Sequence, residues 1–144
     1  MGLVALALYV HWPWCVHKCP YCDFNSRGGL FRIDEGRYIA ALLRDLRQTS
    51  CNALRPVTSV FFGGGTPSLM TEDGFDALMR GIRERVDLVD DVEVTLEANP
   101  GTVTEEKLAA FARSGVTRLS LGVQSFNEAS LSFLGRIHTA RQAR

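Results

Sequence analysis

The sequence predicts an α/β fold with a parallel sheet, and three observations carry that prediction. Apolar runs of strand length alternate four times with stretches whose apolar residues recur at helical spacing. Residues that cap helix N-termini stand at the start of each helical stretch. The unusual groups, namely a cysteine cluster, a glycine run, Glu97 and Gln124, each follow a predicted strand directly. Such alternation requires right-handed crossovers, in a doubly wound sheet or a barrel, and both architectures bind ligands at the C-terminal ends of the strands.

The first strand is expected over residues 3–10, an unbroken apolar run of the kind found in strands covered on both faces. This N-terminal run has no basic flank and is far shorter than the ~20 residues of a membrane span, so a strand is a better reading than a leader. The cysteine loop follows it. After the link Arg27-Gly28-Gly29, Asp34 caps a helix with Ile39, Leu42, Leu43 and Leu46 on one face. Pro56 precedes a second strand over residues 57–62, which runs straight into Gly63-Gly64-Gly65-Thr66-Pro67-Ser68. Thr71 then opens a helix carrying Phe75, Leu78, Met79, Ile82 and Val86.

Residues 92–96 alternate apolar and polar and end at Glu97-Ala98-Asn99-Pro100-Gly101, a turn. Thr104, with Glu105 and Glu106 in the first turn, starts a third helix that Gly115 ends. Residues 119–123 form the fourth strand, closed by Gln124. Asn127 caps a helix through Leu131 and Leu134, and Gly135-Arg136 ends it. Residues 138–144 read as the start of a fifth helix. Four units of this size cannot close a barrel, so residues 1–144 are expected to be the N-terminal part of a larger domain, with an aggregation-prone open strand edge.

Lys plus Arg and Asp plus Glu are both 16, so bulk charge favours neither nucleic acid nor an acidic membrane. With 46% hydrophobic residues in 144, the chain can bury a substantial core. Without a secretory signal the cysteines are expected in a reducing, cytoplasmic setting, where thiols bind metals more readily than they pair. Cys51 stands alone and reads as a small filler residue.

Cys15, Cys19 and Cys22 are spaced C-x3-C-x2-C, and thiolates so close in sequence can converge on one centre. The spacing suits zinc, with His11 or His17 as a fourth ligand, and equally a 4Fe-4S cluster with three irons ligated and the fourth open. A zinc-stabilised binding module without catalysis is the bland alternative. The glycine run reads equally as a tight strand-to-helix turn or a ligand loop; it lacks the lysine of a phosphate loop, and its glycines let backbone carbonyls and amides approach a ligand closely. Glu97 beside it can neutralise an ammonium group, and Arg136 can grip a carboxylate with two donors. An amine, a carboxylate and an open iron together describe an amino acid chelating a cluster. His11, His17 and His138 have more ordinary readings as exposed or structural side chains.

Tyr9-Val10-His11-Trp12-Pro13-Trp14-Cys15, the cysteine loop with Tyr21 before its last cysteine, Gly-Gly-Gly-Thr-Pro-Ser, Glu97-Ala98-Asn99-Pro100 and Gly122-Val123-Gln124-Ser125-Phe126 resemble the radical S-adenosylmethionine enzymes. Within them the resemblance is to the group of oxygen-independent coproporphyrinogen III oxidase and its relatives, and it covers nearly the whole chain. It implies a partial (β/α)6 radical-SAM barrel, with about the first two thirds present. It implies that Cys15, Cys19 and Cys22 hold a 4Fe-4S cluster, and that S-adenosylmethionine chelates the open iron. Tyr9 and Tyr21 would line the cofactor site, and Gly64, Gly65 and Thr66 would contact the cofactor. Glu97 would meet its amine, Arg136 its carboxylate and Gln124 its ribose. In the family, one electron from the cluster cleaves the sulfonium to methionine and a 5′-deoxyadenosyl radical, which takes hydrogen from a substrate.

The true oxidases of this group carry a further cysteine two residues after the last cluster cysteine, and here Phe24 stands in that place. That departure speaks against decarboxylase activity. Asp23-Phe24-Asn25-Ser26 and Arg136-Ile137-His138-Thr139-Ala140 resemble the HemW branch of haem chaperones, which bind haem and pass it to haemoproteins. A haem chaperone is therefore the first expectation, and a porphyrinogen-oxidising enzyme the second.

Overall fold

The computed structural model describes residues 5–29, 33–50 and 55–144. The first residues of the expected N-terminal strand, and Cys51, lie outside the described residues. In chain order the elements are β1 (Leu6–Trp12), β2 (Trp14–Cys15), β3 (Arg27–Gly28), α1 (Glu35–Ser50), β4 (Val57–Gly64), α2 (Glu72–Arg83), β5 (Leu88–Ala98), α3 (Glu105–Arg113), β6 (Arg118–Leu121), α4 (Glu128–Phe133) and α5 (Ala140–Ala143). One sheet has the order β1-β4-β5-β6, and every neighbouring pair in it is parallel. The alternation read from the sequence thus builds four β/α units.

Alternate residues of each strand face opposite sides of the sheet, and the helices cover one side. On that side Val10, Trp12, Val60, Phe62, Val94 and Leu96 form the core with Phe75, Leu78, Met79 and Ile82 of α2 and Phe111 of α3. Phe75 is its keystone, with ring centroids 4.9 Å from Phe62 and 5.0 Å from Phe111 in tilted and edge-on arrangements. Tyr9, Phe61 and Glu97 fall on the other side, where a barrel would enclose them.

Caps fix the helix starts. Thr71, Thr104 and Asn127 accept from the backbone N–H groups of Gly74, Lys107 and Ser130, and Thr139 forms a reciprocal capping box with Gln142. The Glu35 carboxylate accepts from the Thr71 N–H at 3.0 Å, so the starts of α1 and α2 are joined. Among the described residues no helix is long and apolar enough to cross a membrane.

Several boundaries differ from the sequence reading for reasons that lie across the sheet. Strand β4 continues through Gly63 and Gly64 because these pair with His11 and Trp12. Helix α2 stops at Arg83, and Val86 reaches the core through a turn closed by its N–H on the Ile82 carbonyl. Strand β5 begins at Leu88, where it pairs with Val57. Strand β6 ends at Leu121, and Gly122 instead donates to the Ala98 carbonyl. Arg27-Gly28 is not a free link but pairs with Trp14-Cys15.

Phe75→Ala is expected to lower the free energy of unfolding by about 3–5 kcal/mol, the cost of emptying a fully packed aromatic site. Urea denaturation followed by circular dichroism measures it; a change under 1 kcal/mol, roughly that of an exposed site, would contradict the packing described.

Candidate cofactor site

The cysteine loop leaves the C-terminal end of β1 and is ordered mainly by its own backbone. Besides the β2–β3 pairing, Arg27 and Gly29 donate to the carbonyls of Pro13 and Val16, and Cys22 donates to that of Cys19 at 3.0 Å. Lys18 Nζ donates to the carbonyls of Phe24 (2.9 Å) and Ser26 (3.2 Å), drawing the far side of the loop back on itself. A Cβ at Gly28 would stand 2.5 Å from the Lys18 nitrogen, so only glycine allows this return. His11 donates from Nε2 to the Asn25 carbonyl (2.8 Å) and accepts at Nδ1 from the Tyr9 hydroxyl (3.1 Å).

The glycine run grips the start of this loop. The N–H groups of Gly65 and Thr66 donate to the carbonyls of Trp12 (2.6 Å) and Trp14 (2.8 Å). Gly64 has φ +112°, and a Cβ there would overlap the His11 ring; one at Gly65 would fall 2.6 Å from the Trp14 oxygen. The glycines therefore serve first to let two strands' ends meet, a role the sequence did not disclose.

Glu97 ends β5 beside them. Its carboxylate accepts from the Gly64 N–H, yet burial holds the carboxyl above the ordinary glutamate range. Gln124 follows β6 with φ +71°, the one non-glycine residue with positive φ among those described. Arg136 is aimed by a helix ending: Gly135 adopts φ +67°, Gly135 and Arg136 donate to the Ser132 and Leu131 carbonyls, and the chain turns back toward the cysteines. The guanidinium donates to Cys19 Sγ (3.2 Å), to the Tyr21 hydroxyl (3.4 Å) and to the Gly122 carbonyl. Its Nε is buried without a partner.

These groups share one cavity of about 390 Å3. Cys15, Cys19, Cys22 and Tyr21 line it from the cysteine loop, Gly65 and Thr66 from the glycine run, and Glu97, Gln124 and Arg136 from the opposite units. Tyr9 and Gly64 are not in its wall. Tyr9 stands on the same sheet face as Glu97, whose charge, after burial, helps push its hydroxyl's pKa up. The Tyr21 hydroxyl is also pushed up by burial, against the opposing effect of Arg136. The wall further includes His17, Lys18, Phe24, Asn99, Ser120 and Gly122. Of these, Asn99 had a signal in the Asn-Pro-Gly turn, whereas Ser120 had none. His11 and His138 are hydrogen-bonded within the fold, as their structural reading expects.

Chemically the wall offers three free thiols, a half-buried carboxyl and a guanidinium with donor capacity in reserve. Among the described residues no three His, Cys, Asp or Glu side chains lie close enough to hold a single metal ion. The thiols share a wall rather than an ion-sized nest. Soft sulfur donors facing paired opposite charges fit a thiolate-bound iron centre next to an amino-acid-like ligand.

The sequence profile described as the Radical SAM superfamily matches residues 9–144. The chain belongs to the radical SAM superfamily. Membership implies a 4Fe-4S cluster and S-adenosylmethionine, and the wall carries groups of the kinds both require. The "Heme chaperone HemW" proteins of Haemophilus influenzae and Escherichia coli are 46% and 47% identical over 99% of this chain. The bovine "Radical S-adenosyl methionine domain-containing protein 1, mitochondrial" is 44% identical, also over 99% of the chain. The chain spans 38% of the length of the two bacterial relatives and 32% of the bovine one. Among solved structures, the radical SAM enzyme coproporphyrinogen III oxidase (HemN) of Escherichia coli superposes with a TM-score of 0.88 at 28% identity, over 96% of this chain and 32% of that one. The parallel sheet and its crossovers are therefore those of the HemN fold over this stretch.

Glu97 yields a pH prediction that needs no cofactor. In the unfolded chain its carboxyl ionises near the ordinary value of 4.5, whereas the folded protein holds the proton to higher pH. The unfolded state thus loses its proton first, and folding stability falls as pH rises through that window. Glu97→Gln, which can still accept from Gly64, should match the parent below about pH 4.5 and be more stable at pH 7 in the cofactor-free protein. Denaturation midpoints across this range measure it, and a less stable variant at pH 7 would contradict the burial argument.

Proposed function

We propose that Cys15, Cys19 and Cys22 ligate three irons of a 4Fe-4S cluster and that S-adenosylmethionine binds against the fourth. The observation that carries this reading is that the three thiols, Glu97 and Arg136 line one cavity although they come from three separate β/α units. Glu97 takes the cofactor's ammonium, which would relieve a half-buried carboxyl that accepts from the Gly64 N–H. Arg136, already donating to Cys19, offers its unpartnered Nε edge to the carboxylate. Gly64, Gly65 and Thr66 bring backbone close to the cofactor, Tyr9 and Tyr21 border it, and Gln124 meets the ribose. When bound, cluster and cofactor together supply one-electron chemistry, which the protein orients and shields from water. Residues 1–144 make up the N-terminal part of this radical SAM core domain, working in the reducing cytoplasm.

The whole protein we read as a haem chaperone that binds haem and delivers it to haemoproteins. Similarity to the HemW proteins across 99% of the chain supports this, as does Phe24 at the position of the oxidases' further cysteine. The structural likeness to HemN favours oxygen-independent coproporphyrinogen III oxidation as the second reading.

Cys19→Ala is expected to abolish cluster assembly: iron and sulfide assays after anaerobic reconstitution should fall to background, and full content in the variant would refute the ligand assignment. For the whole protein, the expected result is stoichiometric haem binding followed by transfer to an apo-haemoprotein, read from the Soret band. Anaerobic conversion of coproporphyrinogen III with no haem transfer would give the second reading first place.

A further inference from the structure

Two proline-opened turns follow the strands that bring the glycine run and Glu97 to the cavity: Pro67–Leu69 after β4 and Pro100–Thr102 after β5. The N–H groups of Leu69 and Thr102 close them on the carbonyls of Thr66 (3.0 Å) and Asn99 (2.9 Å). Between the turns, Ser68 Oγ lies 2.6 Å from Thr102 Oγ1, and Thr102 Oγ1 lies 2.8 Å from the Asn99 carbonyl. A carbonyl only accepts, so the single Thr102 hydroxyl proton goes to Asn99 and the Ser68 proton goes to Thr102. Each hydroxyl proton is used once, and no group has to change its charge.

Ser68 is fully buried, where a hydroxyl is costly unless it is bonded. Its carbonyl is bonded too, by Lys107 Nζ of α3 at 2.6 Å. Lys107 stands in the first turn of that helix, where the dipole disfavours a cation, and burial pushes its pKa down against the opposing effect of Glu72 and Glu35. The Ser68 carbonyl and the Phe111 ring, whose centroid is 5.6 Å from the ammonium, offset that cost. The β4–β5 ladder ends at Phe62 and Leu96, and the groups that face the cavity come after it: Gly65 and Thr66 on one side, Glu97 and Asn99 on the other. The Glu97 carboxylate also spans this gap to the Gly64 N–H, but it is the group that S-adenosylmethionine would engage. Ser68, Thr102 and Lys107 are not in the cavity wall, so they join the two turns without entering it.

We propose that Ser68 and Thr102, braced by Lys107, are positioning residues that lock the turn after β4 to the turn after β5 and so hold Thr66 and Glu97 at the separation S-adenosylmethionine requires. That role rests on the cofactor reading above. The link touches neither cofactor nor cluster and acts through the backbone of the two turns.

The test uses the whole protein, reconstituted anaerobically, with S-adenosylmethionine affinity measured by calorimetry at a temperature where circular dichroism shows each variant fully folded. Thr102→Val keeps the shape and removes the hydroxyl; it is expected to weaken binding about fivefold to tenfold, the worth of one well-placed hydrogen bond, with iron and sulfide content unchanged. Ser68→Ala, the milder cut, should weaken binding in the same direction, and adding it to Thr102→Val should cost nothing more, because one link is cut in both. Thr102→Ser, which keeps the hydroxyl, should bind as the parent does. In a Glu97→Gln background Thr102→Val should cost much less, since the contact it positions is already lost; full additivity there would mark a merely structural role and overturn the proposal. Parental affinity in both Thr102→Val and Ser68→Ala would overturn it as well, as would a Thr102→Ser variant no better than Thr102→Val. A parent that bound no S-adenosylmethionine would instead overturn the cofactor reading, and the positioning role with it.

Discussion

The N–H groups of Gly65 and Thr66, donated to the carbonyls of Trp12 and Trp14, join the two loops from which the rest of the site is built. Backbone meets backbone here at a distance that no side chain at position 65 would permit. The consequence runs in both directions. Strand β4 stays paired with β1 to its last residue, and the cysteine loop begins from a fixed edge rather than from a free strand end. The aromatic cluster of Trp12, Trp14 and Tyr38 then seals this edge from the helix side, with Tyr38 donating to the His11 carbonyl at 2.8 Å. Sequence, backbone geometry and site position are thus one argument at this corner of the fold.

Across the cavity the design is electrostatic. A carboxyl raised by burial and a guanidinium with an unpartnered Nε border the same space. Each is costly to leave so, since buried charge without full partners is disfavoured. A ligand carrying ammonium and carboxylate groups would satisfy both at once, which is why the polar wall is better understood as half of a complex than as a self-contained network. Stability is given up at Glu97 in the cofactor-free protein.

Most of the fold was legible because its signals are local. Thr71, Thr104 and Asn127 cap helices through contacts within three residues, and Phe75, Leu78, Met79 and Ile82 repeat at helical spacing. The site's location was legible for a topological reason: parallel units put every strand's C-terminal end on one rim. What stayed hidden depends on contacts distant in sequence. Gly28 read as a linker because nothing nearby reveals its approach to Lys18, and the glycine run read as a tight turn or a ligand loop because its partners, Trp12 and Trp14, are distant in sequence. His138 could be read only as exposed or structural because Val123, whose carbonyl it bonds, lies 15 positions away. Tyr9 was expected at the cofactor and stands just outside the cavity wall, on the sheet face that leads into it.

The account turns on an iron left open beside Glu97 and Arg136. Electron paramagnetic resonance of the reduced, anaerobically reconstituted protein, recorded with and without S-adenosylmethionine, addresses it most directly. The account predicts a 4Fe-4S signal whose g values shift when S-adenosylmethionine is added. A protein that held zinc and no sulfide after reconstitution, or a cluster signal indifferent to the cofactor, would contradict it.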